Sequence, residues 1–277
     1  MSPSALDPTP TTAGRNRVGL VVAAIFGFPI GILSGFTGVG GGEYRSPVLL
    51  ALLRNVRWAI AANLLVGLIV SSFNATLRSS WTLAAEYLLI ASLFIVTSVP
   101  GAYIGALLTK RASAKLLKVL LAGILVGTGL RLILVKTDAG PSVTGVPMVL
   151  LALGIGFVLG IISGLLGLAA GEYRIPALIL IFGVPVVIAG TLSALSSIPQ
   201  QLVGFLKHRR MQHARPATMR LGEVMAAASV LGVAVGVAFL GRTAEAFVAQ
   251  VLGAAMIAAA GFIIWDIWHP HPEERAE

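Results

Sequence analysis

Apolar residues in this chain come in long unbroken runs rather than in alternating stripes. The strongest runs lie at roughly 18–37, 58–76, 81–108, 116–135, 146–166, 186–206, 219–240 and 246–267, with two short apolar pieces at about 46–53 and 175–184. At ~1.5 Å per residue, a helix of about 20 apolar residues crosses the ~30 Å hydrocarbon core of a bilayer. Strands of a membrane barrel would instead alternate in polarity over about ten residues. The pattern therefore predicts an all-α polytopic membrane protein. The two short pieces reach only about 12 Å each. Both follow glycine-rich chain, so they predict half-helices preceded by an unwound segment.

One unit is used twice. Residues 31–47 set over 160–176, at an offset of 129, are identical at 10 of 17 positions, including Gly38/Gly167, Gly42/Gly171, Glu43/Glu172, Tyr44/Tyr173, Arg45/Arg174 and Pro47/Pro176. A weaker echo at an offset of 131 relates "SVPGAYIG" (98–105) to "SVLGVAVG" (229–236). Its paired glycines predict close helix packing in lipid. Basic residues choose the number of crossings, because Lys and Arg collect in cytoplasmic loops. If each short piece completes a crossing, Arg15, Arg17 and the basic loops at 54–57, 110–118 and 207–220 all fall on one side. Five crossings per half follow, with both termini cytoplasmic. An odd number per half makes the repeats inverted, a common plan of secondary transporters. The predicted organisation is a disordered tail over 1–17, a first transmembrane repeat over 18–138, a second over 139–268 and a polar tail over 269–277. No small-residue cleavage site precedes the first run, so that run is expected to be retained rather than removed as a signal peptide.

Composition agrees with the pattern. Hydrophobic residues make up 57% and charged residues 11% of the chain, and the mean hydropathy of +0.93 is out of reach of a water-solvated domain. The net charge of +9 is the cytoplasmic-loop excess and does not call for nucleic acid. With no Cys there is no disulfide, thiolate metal site or Cys nucleophile. His208, His213, His269 and His271 all fall in polar loop or tail sequence, which argues against a buried zinc site. No cofactor is expected.

The chemistry lies in the repeated motif, "GVGGGEYRSP" and "GLAAGEYRIP". Proline suits the first turn of a helix, so the half-helices are expected to begin at about Ser46 and Ile175. Their free N–H groups and positive dipole ends would then face the break, a geometry suited to an anion. A buried Arg is costly in a membrane and needs a partner or a purpose. Two readings fit Arg45 and Arg174. In one, salt bridges to Glu43 or Glu172 hold the structure together. In the other, the guanidinium forks and the backbone N–H groups around Gly41, Gly42, Ser46 and Gly171 bind an oxyanion in transit. Carboxylates that release the arginines when substrate arrives would serve both. Glu43 and Glu172 could also exchange protons and couple anion movement to a proton gradient. Tyr44 and Tyr173 can donate to an oxyanion or anchor their helices. Asn63, Ser71, Ser72 and Asn74 in one crossing, and Ser193, Ser196, Ser197, Gln200 and Gln201 in its counterpart, form polar stripes that either line a path or bond helix to helix. Ser34 and Ser163 are expected to bond back to their own helices. Glu86 and Glu223, near membrane ends, are expected to be solvated.

At the doubled glycine motif the chain resembles the TauE/SafE family of sulfite and sulfonate exporters, also called the toluene sulfonate uptake permease group. The family pattern is Gly-x-Gly-Gly-Gly, four residues, then Pro, once near the start of each half. Gly38, Gly40, Gly41, Gly42 and Pro47 match it fully; the second copy keeps Gly167, Gly171 and Pro176 and has Ala169 and Ala170 in place of two glycines. The resemblance covers about residues 18–267 and implies transport of a small organosulfur oxyanion across a bacterial inner membrane. The Glu-Tyr-Arg insert departs from the apolar residues many members carry there. Two other classes compete: an anion channel, and a membrane-embedded lipid-phosphate hydrolase. The hydrolase would need a nucleophile beside the arginines, and neither motif has a His, Cys or Asp next to it.

Overall fold

A computed structural model describes residues 10–78, 84–108, 114–134, 143–166, 171–214 and 216–268. Among these residues the chain forms ten α-helices and no strand: α1 (Pro10–Thr37), α2 (Gly42–Leu53), α3 (Val56–Leu77), α4 (Leu88–Leu108), α5 (Ala114–Leu134), α6 (Gly145–Leu166), α7 (Gly171–Leu180), α8 (Val186–Arg210), α9 (Pro216–Leu240) and α10 (Glu245–Trp268), with a short 3₁₀ turn at Ala85–Tyr87. Among the described residues seven helices are long and apolar enough to cross a membrane, and α5 adds a shorter apolar stretch, Leu125–Leu134. Large apolar side chains such as Val21, Ile25, Leu89, Val96, Leu150 and Phe239 point outward, as a bundle bathed in lipid requires. α1 starts at Pro10, inside the stretch expected to be tail; residues 1–9 and 269–277 lie outside the described residues.

Helix pairing follows the small residues of the two echoes. A Cβ on Gly31 would stand 2.1 Å from the Ser229 carbonyl oxygen, and one on Gly160 would stand 2.4 Å from that of Ser98. Likewise a Cβ on Gly232 would meet the Phe28 oxygen at 2.1 Å, and one on Gly101 the Phe157 oxygen at 2.4 Å. Only glycine permits backbones this close, and close approach is what associates helices where no hydrophobic effect drives them together. α1 and α9 therefore run parallel in one such pair, and α4 and α6 run parallel in the other. α3 packs antiparallel on α8, with Gly67 against Gln201 and Leu64 against Gly204; α5 packs antiparallel on α10 through Gly129 and Gly253. α9 also touches α3, α4 touches α8, α2 lies on α3 and α7 on α8. Exchanging each helix with the one five places away leaves these main pairings unchanged.

The two short helices begin earlier than expected. α2 starts at Gly42 and α7 at Gly171, not at Ser46 and Ile175, so Pro47 and Pro176 are sixth residues rather than first-turn residues. The reason is local. Gly41 takes the left-handed conformation, φ 68°, which turns the chain in a region open mainly to glycine, and the Arg45 N–H already closes a turn onto the Gly41 carbonyl at 3.2 Å. Pro47 withholds a backbone donor from that first turn, while the Ser46 hydroxyl donates to the Gly42 carbonyl at 2.8 Å. Glu43, Tyr44 and Arg45 thus stand on the first helical turn and project in different directions from it.

Candidate functional site

The interior of this bundle is polar at its centre. Ser34, Thr37, Glu43, Arg45, Asn63, Ser71, Asn74, Arg78, Arg174, Thr191, Ser193, Ser196, Ser197, Gln200 and Gln201 are all buried. They come from α1, α2, α3, α7 and α8. The two motif copies meet here: a Cβ on Gly171 would lie 3.2 Å from the Gly40 backbone nitrogen and 3.4 Å from Ser193 Oγ. The glycine-rich loop after α1 therefore touches the start of α7.

Each motif arginine reaches into the polar stripe of the long helix beside it. Arg45 Nε donates to Asn63 Oδ1 at 3.2 Å, and Asn63 Nδ2 in turn donates to the Gly42 carbonyl at 3.1 Å and to Ser46 Oγ at 3.0 Å. Arg174 Nη1 donates to the Ser193 carbonyl at 3.0 Å and to Ser197 Oγ at 2.9 Å, and Arg174 Nη2 donates to Gln200 Oε1 at 2.6 Å. Ser193, Ser197 and Gln200 fall three and four residues apart, so α8 presents all three on one face. Asn63 on α3 and Ser193 on α8 stand 130 residues apart, close to the 129 that separates the arginines. Partner and partnered residue thus repeat together.

The other expected site residues divide. Glu43 is buried on the first turn of α2. Tyr44 is half-buried and donates from its hydroxyl to the Ala255 carbonyl on α10, an anchoring contact. Tyr173 is buried in the apolar core that α7 shares with α8 and α10. Ser46 spends its hydroxyl on Gly42 and Asn63. The Glu172 side chain, and residues 167–170 of the second motif, lie outside the described residues, as does the Glu86 side chain. Glu223 is exposed, as expected. Ser72 bonds back to the Leu68 carbonyl at 2.8 Å. Asn74 Nδ2 reaches Ser34 from α3, donating to its carbonyl at 2.8 Å and to its Oγ at 3.4 Å.

Several buried atoms of the stripes have no hydrogen-bond partner among the described residues: Ser71 Oγ, Asn74 Oδ1, Ser193 Oγ, Ser196 Oγ, Gln200 Nε2 and Gln201 Oε1. A buried donor or acceptor left unmade costs about 1–3 kcal/mol. Two of these orphans, Ser193 Oγ and Gln200 Nε2, belong to residues that also receive Arg174. One buried arginine of this polar set, at the end of α3, is not flagged by the repeat. Arg78, 1% exposed at the end of α3, has no repeated arginine 129 or 130 positions on, where Lys207 and His208 stand. Its one sequence signal is an arginine directly after a polar stripe.

A family model described as "Sulfite exporter TauE/SafE" matches the chain in two segments, residues 3–132 and 152–277. The chain belongs to the TauE/SafE family. It is accordingly a membrane transporter. No curated protein and no solved structure matches it.

Proposed function

We propose that this chain is a secondary transporter that carries a small oxyanion, sulfite or an organosulfonate, across the bacterial inner membrane by alternating access around Arg45 and Arg174. One observation carries the reading: each motif copy puts a buried arginine on the first turn of a short helix, beside glycine-rich chain, where the two copies meet. The positive dipole ends of α2 and α7 add to the two guanidinium groups. Neutral donors among the orphaned atoms, Ser193 Oγ and Gln200 Nε2, complete a shell that suits an anion's oxygens. Glu43 and its counterpart Glu172 are the acids available to take over the arginines, or to exchange a proton, when the anion leaves.

The frame for alternating access is a pair of inverted five-crossing repeats, in which α2 with the 38–41 loop, and α7, each contribute to one crossing. Two facts support it: the main pairings survive exchange of helices five apart, and α3 with α8, and α5 with α10, run antiparallel. Cytoplasmic termini are supported by the side chains at the start of α1 and α3 and the end of α8. There Leu52 and Leu221 reach Gly19, and Arg17, Arg54, Arg57, Lys207, Arg209, Arg210 and Arg220 gather as the positive-inside rule predicts.

The test is thermal stabilisation of the purified protein across sulfite, sulfate, thiosulfate, taurine, sulfoacetate and organic carboxylates, beside Arg45→Ala and Arg174→Ala. A ligand at about 100 times its dissociation constant adds about 2.7 kcal/mol to the native state. Stabilisation by a sulfur oxyanion that both variants lose is the expected result. Equal stabilisation of the variants would put the substrate elsewhere.

A further inference from the structure

We propose that Arg78 is an anion-responsive latch: a second oxyanion-binding position at the mouth where α1 and α3 end and α8 begins, closed until a small oxyanion takes over its guanidinium. The inference rests on the transport reading above and extends it to how the pathway opens.

Arg78 terminates α3, its N–H bonded to the Asn74 carbonyl at 3.2 Å. Its side chain then turns inward and ties three helices together. Nε donates to Thr191 Oγ1 at 3.1 Å, Nη2 to the Val187 carbonyl at 3.1 Å, and Nη1 to the Gly35 carbonyl at 3.0 Å. The guanidinium lies flat against α8 because residue 190 is glycine, where a Cβ would stand 2.8 Å from Nη2 and 3.1 Å from Cζ. Gly190 also presses on the loop after α1, since a Cβ on Gly38 would fall 2.2 Å from Gly190 Cα. Arg78 and Gly190 thus form one layer over the glycine-rich loop that leads to the central arginines.

All three acceptors are neutral, and no carboxylate forms an ion pair with Arg78 among the described residues. A mechanical clamp needs donors but no charge. A buried cation without a counter-ion costs several kcal/mol, so the charge calls for a purpose that neutral donors would not serve. An arriving oxyanion supplies the missing countercharge, and its paired oxygens fit the planar fork. Three of the five guanidinium N–H groups donate to these neutral acceptors. Once the guanidinium turns to the anion, α3 is released from α1 and α8 together. The anion opens the mouth because it binds the released arginine better than the latched one, the differential affinity any ligand-driven change requires.

The chain has no Cys, so one introduced thiol reports on the mouth. Ser34→Cys lies one residue before the Gly35 carbonyl that Arg78 holds, and Ser34 is fully buried. Intact cells expressing the full chain would be treated with a membrane-impermeant methanethiosulfonate, with and without methanesulfonate or sulfate, oxyanions inert toward thiols. The expected result is slow modification with Arg78 present, at least about tenfold faster modification with Arg78→Gln, and acceleration by anion only when Arg78 is present. Thr191→Val, which removes one acceptor and keeps the charge, should modify at an intermediate rate and still respond to anion; it carries the test if Arg78→Gln does not fold. Unchanged modification in both variants overturns the latch. Faster modification without any anion response makes Arg78 a plain clamp and overturns the anion role. Thermal shifts on the Ser34→Cys protein, read separately, tell whether the central site has failed as well.

Discussion

The contact between α3 and α8 ends differently at its two extremities. Where α3 finishes, Arg78 is fully buried and bonded to α1 and α8. Where α8 finishes, His208 and His213 face one another with their Nδ1 atoms 3.2 Å apart, Lys207 stands 5.1 Å from the Tyr103 ring centroid, and Arg209 and Arg210 are exposed. The repeat would place these ends in equivalent surroundings, since Arg78 and His208 are 130 residues apart. The symmetry of the centre is therefore not carried to the ends. One extremity is sealed by a buried cation on two backbone carbonyls and a threonine hydroxyl, and the other is an exposed basic rim. The alternating access proposed above needs such a difference in any single state, because both mouths of a carrier are not open together.

Glycine substitutions at the two extremities should break the comparison most sharply. Gly190→Ala would set a Cβ 2.6 Å from the Thr37 carbonyl oxygen and 2.8 Å from Arg78 Nη2, one contact being backbone that cannot yield. Gly204→Ala, near the other end, would meet the tips of Leu64 at 3.3 Å, atoms that can swing aside. Overpacking in a tight core costs about 1–3 kcal/mol or more, so Gly190→Ala should lower the thermal midpoint by many degrees or abolish folding. Gly204→Ala should stay within about 1 kcal/mol of the parent, Ala being the better helix former by a similar amount. Thermal unfolding of both proteins in one detergent decides it. Equal losses would mean that the Arg78 end is no tighter than the other.

A smaller effect sharpens the same contrast. Thr191→Val removes the acceptor of Arg78 Nε at nearly constant volume, and hydrogen bonds to charged groups contribute about 1.5–3 kcal/mol. A loss in that range is expected. His208→Gln at the basic end should cost no more than about 0.5 kcal/mol, as for most surface changes. Chemical unfolding with the two variants side by side measures both; a larger loss for His208→Gln would reverse the assignment of the sealed end.

Much of this was legible before any coordinates, and the limits have physical causes. Membrane helices announce themselves through length and apolarity alone, so the long apolar helices could be found, with ends within a few residues except the starts of α1 and α4. The doubled Glu-Tyr-Arg was readable because repetition marks charges that a membrane interior otherwise expels. The start of α2 differs from the expected Ser46 because Gly41, not Pro47, sets it. Proline tolerates the sixth position because only the one carbonyl four residues before it loses a donor, whereas a left-handed glycine fixes where the turn begins. Tyr44 shows a second limit: which way a residue points from a short helix depends on its neighbours, here the Ala255 carbonyl on α10. Arg78 shows a third. An arginine after an apolar run reads as a membrane-end anchor, and only the packing of α1 and α8 over it buries it.

The smallest expected effect concerns pH and belongs to the basic extremity. His213, in the turn beyond α8, has its pKa held below the ordinary 6.5, first by burial and then by the positive charge of Arg57. In the native state the imidazole therefore resists protonation, while in the unfolded chain it takes up a proton near 6.5. Below that pH the unfolded state binds more protons, so stability falls as the solution is acidified from about 6.5 toward the depressed native value, and is unaffected above it. The His208 contact points the same way: two Nδ1 atoms share one hydrogen only while at least one ring is neutral, so protonating both breaks the bond. Thermal midpoints at pH 7.5 and 5.5 should therefore differ more for the parent than for His213→Gln, by a margin that shrinks in high salt as the Arg57 repulsion is screened. The Arg78 end has no group that titrates in this range among its bonded partners, so Thr191→Val should leave that pH difference intact. If Thr191→Val removes the pH dependence and His213→Gln preserves it, the titrating group lies at the sealed end and the contrast between the two extremities fails.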